Sequence, residues 1–82
     1  MMIEKKITKI LEENIKDSKV FIQDITGSNN HFNLIVISSV FDGLTMIQQH
    51  QVIYKLLGSM ITKEIHALQI KTLTWKQWKK EN

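Results

Sequence analysis

The apolar residues of this chain change their spacing along its length, and that change restricts the fold more than any other feature. From residue 2 to residue 16 they recur three or four positions apart, which predicts an amphipathic helix with this apolar face: Ile3, Ile7, Ile10, Leu11 and Ile15. Two short runs rich in branched and aromatic residues then predict strands, Val20 to Ile25 and Phe32 to Ser38. Between them, the glycine, serine and asparagines of Thr26 to Asn30 predict a turn that joins the strands as a hairpin.

Helical spacing returns after Gly43 and predicts a helix over residues 46–62. Its apolar face is expected to contain Ile47, Tyr54, Leu57 and Ile61. Thr45, with Gln48 three positions later, matches a capping box at the start of this helix. Gly58 inside the helix costs up to about 1 kcal/mol relative to alanine, so we expect close packing at that position.

The remaining residues predict a third strand, Ile65 to Leu73, and a short last helix signalled by Thr74 and Gln77. The long helix before the third strand allows that strand to return parallel to the second by a right-handed crossover. The predicted order is therefore α-β-β-α-β-α, an α+β, two-layer fold with a three-stranded mixed sheet and helices on one face. With 82 residues, 43% hydrophobic content and no proline, residues 1–82 are expected to form a single domain around one core.

Composition excludes several classes of function. The chain has no cysteine, so it offers no thiolate for catalysis or metal binding, and we expect a reducing compartment. No stretch approaches the roughly 18 apolar residues of a membrane span, and Glu4, Glu12 and Glu13 argue against an N-terminal targeting signal. We therefore expect no membrane segment and a cytoplasmic protein, with the nucleus as the alternative. No nucleophile and base stand at a catalytic spacing and no glycine loop fits a phosphate, so we expect no enzyme activity.

The formal net charge of +3 rests on eleven lysines and no arginine, so attraction to polyanions is diffuse. Four of the lysines cluster near the C-terminus: Lys71, Lys76, Lys79 and Lys80. This cluster is interpreted either as a solvated helix face or as a weak contact with nucleic acid. Trp75 and Trp78 in the same segment are interpreted either as stacking surfaces for bases or as anchors that hold the short helix against the sheet.

Several motifs, taken in order, resemble the BolA family. They are HFNLIVISSVF from His31 to Phe41, FDG from Phe41 to Gly43, QHQVIY from Gln49 to Tyr54, IHAL from Ile65 to Leu68, and TLTWKQW from Thr72 to Trp78. The resemblance implies a BolA-like domain with a KH-like (class II) fold and structural roles for Phe41, Gly43, His50 and Trp78. The spacing of His50 with apolar residues on its helix predicts that it is buried. The chain departs from the family pattern at Gln49 and Gln51, where relatives often have arginine, and at Trp75, where proline is common.

The three histidines are ranked differently by this resemblance. It implies that His66, within the IHAL motif, is a ligand to a [2Fe-2S] cluster shared with a monothiol glutaredoxin. Neutral imidazole is a suitable iron ligand, but one histidine cannot hold a cluster. The glutaredoxin cysteine and a glutathione thiolate would complete the site, so we expect no cluster on the isolated chain.

The second ligand of the family usually comes from the loop between the first two strands. Ser28 stands where many relatives have cysteine, and serine is a poor ligand for iron. His31, directly before Phe32, is the nearest substitute. The alternative for His31 is a structural role, with its imidazole bonded to the hairpin backbone.

These residues favour an adaptor that binds a monothiol glutaredoxin and shares a labile [2Fe-2S] cluster, in cluster trafficking or iron sensing. We expect a monomer that forms a heterodimer with this partner, with the lysines of residues 71–80 in the docking surface. The alternative is a KH-like nucleic-acid-binding transcriptional regulator. KH modules grip nucleic acid through a G-x-x-G loop, and the candidate loops after Gly27 and Gly43 both lack the second glycine.

Overall fold

The computed structural model describes residues 3–27, 31–58, 60–63, 65 and 67–81. The helices and strands are α1 (Ile3–Asn14), β1 (Ser18–Asp24), β2 (His31–Ser38), α2 (Met46–Leu57), α3 (Met60–Lys63), β3 (Ala67–Leu73) and α4 (Trp75–Glu81). A 3-10 turn, Ser39–Phe41, follows β2. The order of elements confirms the predicted fold class, with the single turn α3 in addition. No helix in the described part of the chain is long and apolar enough to cross a membrane.

The strands form one sheet with β2 in the centre. β1 pairs antiparallel with β2, with Ile22 opposite Leu34. β3 pairs parallel with β2, with His31 opposite Ala67. The predicted hairpin and the predicted parallel return of the third strand are therefore confirmed, and α2 lies in the connection between β2 and β3.

One face of the sheet, here called the inner face, packs against α1 and α2. Side chains alternate between the two faces along a strand, and the even-numbered residues of β2 point to the inner face. The apolar core consists of these side chains together with residues of both helices: Ile7, Leu11, Ile15, Val20, Phe32, Leu34, Val36, Phe41, Ile53, Leu57, Met60 and Ile65. The predicted apolar face of the first helix is confirmed, since its buried residues belong to this cluster.

The side of α2 that faces the core differs from the prediction. Ile47 is 71% exposed and Tyr54 is 46% exposed, whereas Ile53 and Leu57 are buried. Gln49, four residues before Ile53, is also buried. The predicted apolar face is confirmed for Leu57 and for Ile61, which packs against the core, and is wrong for Ile47 and Tyr54. The difference arises because a polar residue, held by the hydrogen bonds described below, occupies one of the positions that face the core.

α2 ends at Leu57, so the predicted continuous helix to residue 62 is wrong. Gly58 has a φ of 53°, which L side chains rarely adopt, and its N–H caps the helix by donating to the Tyr54 carbonyl at 2.9 Å. Apart from the adjoining residues and the backbone of the helix, no atom of the described residues lies within 4 Å of the position that a Cβ would take at Gly58. Glycine therefore allows the turn, and the predicted close packing is absent there.

α4 lies against the opposite face of the sheet, here called the outer face, so the prediction of helices on one face is wrong for this helix. The ring of Trp78 stacks on Phe21, an outer-face residue of β1, with the centroids 5.3 Å apart and the planes at 24°. Trp75 Nε1 donates a hydrogen bond to the Asp17 carbonyl at 2.8 Å. The two tryptophans therefore hold α4 against the sheet, in agreement with one of the two interpretations of their spacing.

The capping box predicted at Thr45 is present, and Thr74 with Gln77, the predicted signal of the last helix, forms a second one. The Thr45 N–H donates to Gln48 Oε1 at 2.9 Å, and the Gln48 N–H donates to Thr45 Oγ1 at 3.1 Å. At the start of α4, the Thr74 N–H donates to Gln77 Oε1 at 2.8 Å and the Gln77 N–H donates to Thr74 Oγ1 at 3.2 Å. The tryptophan that replaces proline at position 75 leaves this cap intact.

Candidate functional site

His31 is the first residue of β2, and its side chain is half-buried on the outer face. Its carbonyl oxygen accepts a hydrogen bond from the Ile25 N–H at 2.8 Å, which closes the hairpin. On its other side, it stands opposite Ala67 in the parallel ladder. Contacts with both neighbouring strands therefore fix the backbone that carries this imidazole.

The other two positions expected at the iron site, His66 and Ser28, lie outside the described residues. Ala67, the ladder partner of His31, directly follows His66 in the sequence. Across the described ranges, no group of three histidine, cysteine or acidic side chains is arranged to hold a metal ion. His31 contributes an imidazole nitrogen, a donor that iron accepts, so its chemistry fits the cluster that the family resemblance implies.

His50 is half-buried on α2, so the prediction that it is buried is wrong. Its neighbours on the helix surface, Ile47 and Tyr54, are exposed, and the three side chains form a stripe that faces away from the core. Because α2 packs on the inner face, the sheet separates His50 from His31. The structure therefore does not bring these two histidines together.

The C-terminal lysines lie on and beside α4. Lys71 is an outer-face residue of β3, and its Nζ lies 2.9 Å from Glu81 Oε1. The two side chains are 55% and 46% exposed, so water screens this ion pair strongly. Lys76, Lys79 and Lys80 are exposed along α4. The Lys71–Glu81 pair joins β3 to α4, which brings the four lysines to one region of the surface.

A buried polar connection, missed by the sequence analysis, anchors the loop that carries Phe41 and Gly43. The side-chain amide nitrogen of Gln49 donates to the carbonyl oxygens of Phe41 at 3.2 Å and Leu44 at 3.0 Å. Its amide oxygen accepts a hydrogen bond from Thr72 Oγ1 of β3. Gly43 has a φ of 82°, a left-handed conformation that glycine adopts without strain. Gln49 therefore connects this loop, α2 and the sheet.

Of the two positions where relatives often have arginine, only Gln51 is exposed and stands where a surface charge would lie, because Gln49 points into the core. A signal for this was present in the sequence. Gln49, Ile53 and Leu57 are spaced by four residues and share one side of a helix. To place Gln49 in the core from sequence, one would also have to identify a hydrogen-bond partner for its buried amide. The sequence does not reveal that Thr72 is this partner.

Known proteins resemble this chain along most of its length. A family model described as BolA-like protein matches residues 3–77. An uncharacterized protein of Haemophilus influenzae is 40% identical over 77 residues, which cover 93% of this chain and 87% of that relative. The DNA-binding transcriptional regulator BolA of the same organism is 32% identical over 84 residues, which cover 99% of this chain and 82% of the relative. The solved structure of a BolA protein homologue from Coxiella burnetii has a TM-score of 0.79 and 29% identity, and the match covers 96% of this chain and 99% of that one.

Proposed function

Because this chain belongs to the BolA-like family, we propose that it is an adaptor that binds a monothiol glutaredoxin and shares a labile [2Fe-2S] cluster with it. The role in the cell would be cluster trafficking or iron sensing. The glutaredoxin partner and the cluster are proposed because the motifs resemble those of the family, above all IHAL around His66. Support from the structure comes from the surroundings of His31.

The observation that carries the proposal is the pairing of His31 with Ala67 across parallel strands. Neighbouring strands lie about 4.8 Å apart, and consecutive Cα atoms are about 3.8 Å apart. His66 directly precedes Ala67 in the sequence, one Cα–Cα step from the residue that pairs with His31. We propose that His66 and His31 together present two imidazoles at the end of the sheet that carries His31.

Each of these histidines would donate one nitrogen, while the glutaredoxin cysteine and a glutathione thiolate would supply sulfur. A [2Fe-2S] cluster with mixed nitrogen and sulfur ligation has a raised reduction potential. The chain would hold the cluster only together with its partner, so release of the partner would release the cluster. The lysines on and beside α4 suit an acidic partner surface, and such charges mainly increase the rate of association.

Visible circular dichroism of the cluster tests this proposal. A cluster-loaded monothiol glutaredoxin with glutathione is titrated with the wild-type protein and with the variants His66→Ala and His31→Ala. We expect a new spectrum that saturates at one equivalent of wild type, no such spectrum with His66→Ala, and a weakened one with His31→Ala. His50→Ala is the matched control, because the sheet separates His50 from this site, and it should behave as wild type.

An unchanged spectrum on addition of wild type would reject the shared cluster. If His66→Ala abolishes the new spectrum and His31→Ala leaves it intact, His31 has the structural role and the second ligand comes from elsewhere. If His50→Ala removes the signal as strongly as His66→Ala, the assignment of the site to this end of the sheet is wrong.

DNA binding is a second candidate function, favoured by the relative named as a DNA-binding transcriptional regulator and by the exposed lysines of α4. Binding through lysines to phosphates weakens steeply between about 50 and 200 mM salt, because released counterions gain less entropy when the bulk salt concentration is higher. A complex bridged by a metal cluster resists salt and is broken by a chelator. Measuring both interactions at the two salt concentrations and with a chelator therefore separates the two functions.

A further inference from the structure

The outer face carries a shallow cavity of about 410 Å³ that is open to solvent. The strand register arranges its outer-face side chains in two rows, each with one residue from every strand. The first is a row of amides, Gln23, Asn33 and Gln69, and the second is a mixed row, Phe21, Ile35 and Lys71. We call this region the outer-face cavity.

The three amides of the first row have unused hydrogen-bonding capacity. Within the part of the chain that the structure describes, no hydrogen bond engages the side chains of Gln23, Asn33 or Gln69. Each amide offers two donor hydrogens and one acceptor oxygen, and adjacent strands place the amides about 5 Å apart. The row therefore offers both donors and acceptors side by side, which is the chemistry that recognises the edge of a nucleobase.

The second row supplies an apolar surface between two positive charges. Phe21 remains 41% exposed although Trp78 stacks on it, and Ile35 beside it is half-buried. Lys19 Nζ lies 5.8 Å from the centroid of the Phe21 ring, on the strand at one edge of the sheet. Lys71 stands on the strand at the opposite edge. A base that contacts the apolar surface would thus lie between two ammonium groups, and Lys71 would exchange its exposed partner Glu81 for a phosphate.

We propose that the outer-face cavity binds single-stranded nucleic acid, with a base over Phe21 and Ile35 and its edge on the amide row. A single free nucleotide fits less well, because an open cavity leaves most of it in water, whereas small-ligand sites bury about 70–90% of the ligand. A duplex fits less well because its bases are stacked and paired, so their faces are not available to the sheet. The site uses neither the imidazoles of the cluster proposal nor the lysines of α4, although it includes Lys71. The proposal rests on the second candidate function, nucleic-acid binding, and assigns it a site and a single-stranded ligand.

Fluorescence anisotropy with labelled ten-nucleotide single strands of DNA and RNA tests the proposal at low salt. We expect saturable binding by wild type and a loss of about tenfold or more in affinity in the double variant Asn33→Ala with Gln69→Ala, because it removes two of the three amides that would bond the edge of the base. Gln51→Ala removes an exposed amide from α2 and serves as the matched control with unchanged affinity. Lys71→Gln should lower the slope of log affinity against log salt by about 0.7, as expected for one lost phosphate contact to a single strand.

Three results would overturn the proposal: no saturable binding by wild type, equal affinity in wild type and the double variant, or tighter binding of the matching duplex. Thermal melts by circular dichroism check that each variant is folded, and the partly exposed positions of Asn33 and Gln69 make unfolding an unexpected outcome. If Lys76→Gln with Lys80→Gln abolishes binding while the amide variant does not, nucleic acid binds at α4. That result rejects the outer-face cavity and leaves DNA binding as a function of the chain.

Discussion

The inner and outer faces of the sheet are built from alternate residues of the same strands, yet their chemistry differs. On the inner face, Phe32, Leu34 and Val36 are buried under α1 and α2, and the buried polar groups Gln49 and Thr72 satisfy each other. The outer face is covered at one end, by α4, and elsewhere exposes amides, lysines and a half-buried histidine. Packing therefore restricts the inner face to apolar side chains and to polar side chains that are hydrogen-bonded. Much of the outer face is not restricted in this way, so its residues can serve binding.

Consecutive residues of the central strand test this comparison with the largest expected effect. Leu34→Ala removes a fully buried inner-face side chain, so we expect the free energy of unfolding to fall by about 2–5 kcal/mol. Ile35→Ala removes a half-buried outer-face side chain and should cost about 1 kcal/mol. Urea unfolding of both variants measures the difference, and equal losses would contradict the assignment of the core to one face.

The polar connection of the inner face is the next largest test. Gln49→Ala removes three buried hydrogen bonds and leaves the Leu44 carbonyl oxygen without its side-chain donor, so we expect a loss of about 1–3 kcal/mol. The Phe41 carbonyl oxygen keeps the Leu44 N–H at 3.1 Å, and Thr72 Oγ1 keeps Met46 Sδ at 3.8 Å. A double-mutant cycle with Thr72→Val isolates the coupling between the two side chains. Gln51→Ala, an exposed amide on the same helix, is the control and should change stability by less than about 0.5 kcal/mol. A Gln49→Ala variant as stable as this control would show that the hydrogen bonds of Gln49 do not stabilise the fold.

On the outer face, the stacking of Trp78 on Phe21 tests whether α4 contributes to stability. Trp78→Ala should cost roughly 1–2 kcal/mol, since it removes an aromatic contact and uncovers apolar surface of the sheet. Lys79→Ala, one position further along α4, is the exposed control. If the two variants unfold at the same urea concentration, α4 is attached to the sheet without stabilising it.

The sequence alone predicted the inner face better than the outer face, and the reasons are physical. Burial of one face imposes a spacing, so the strands, the α1 face and the element order follow from apolar positions, and the caps follow from Thr45 and Thr74. The orientation of α2 was missed because hydrogen bonds allow Gln49 to occupy a core position. The spacing of two tryptophans indicates which side of α4 is apolar, but it contains no information on which face of the sheet that side meets.

The candidate site was predictable only in its residue types. His31 and His66 are named by motif resemblance, whereas the pairing of His31 with Ala67 depends on strand register, which no residue type reveals by itself. The amide row of the outer face went unnoticed for the same reason. Gln23, Asn33 and Gln69 are far apart in the sequence and become neighbours only through two strand pairings.

The smallest expected effect concerns the Lys71–Glu81 ion pair between β3 and α4. Because both side chains are about half exposed, screening by water and the entropy cost of ordering two long side chains offset most of the attraction, and we expect a coupling of about 0–1 kcal/mol. A double-mutant cycle of Lys71→Ala and Glu81→Ala measures it, and the coupling should decrease further as salt rises. A larger, salt-resistant coupling would mean that electrostatics fixes α4 on the outer face, in place of the tryptophans. A negligible coupling leaves Lys71 free to exchange Glu81 for a phosphate at little cost, as binding at the outer-face cavity requires.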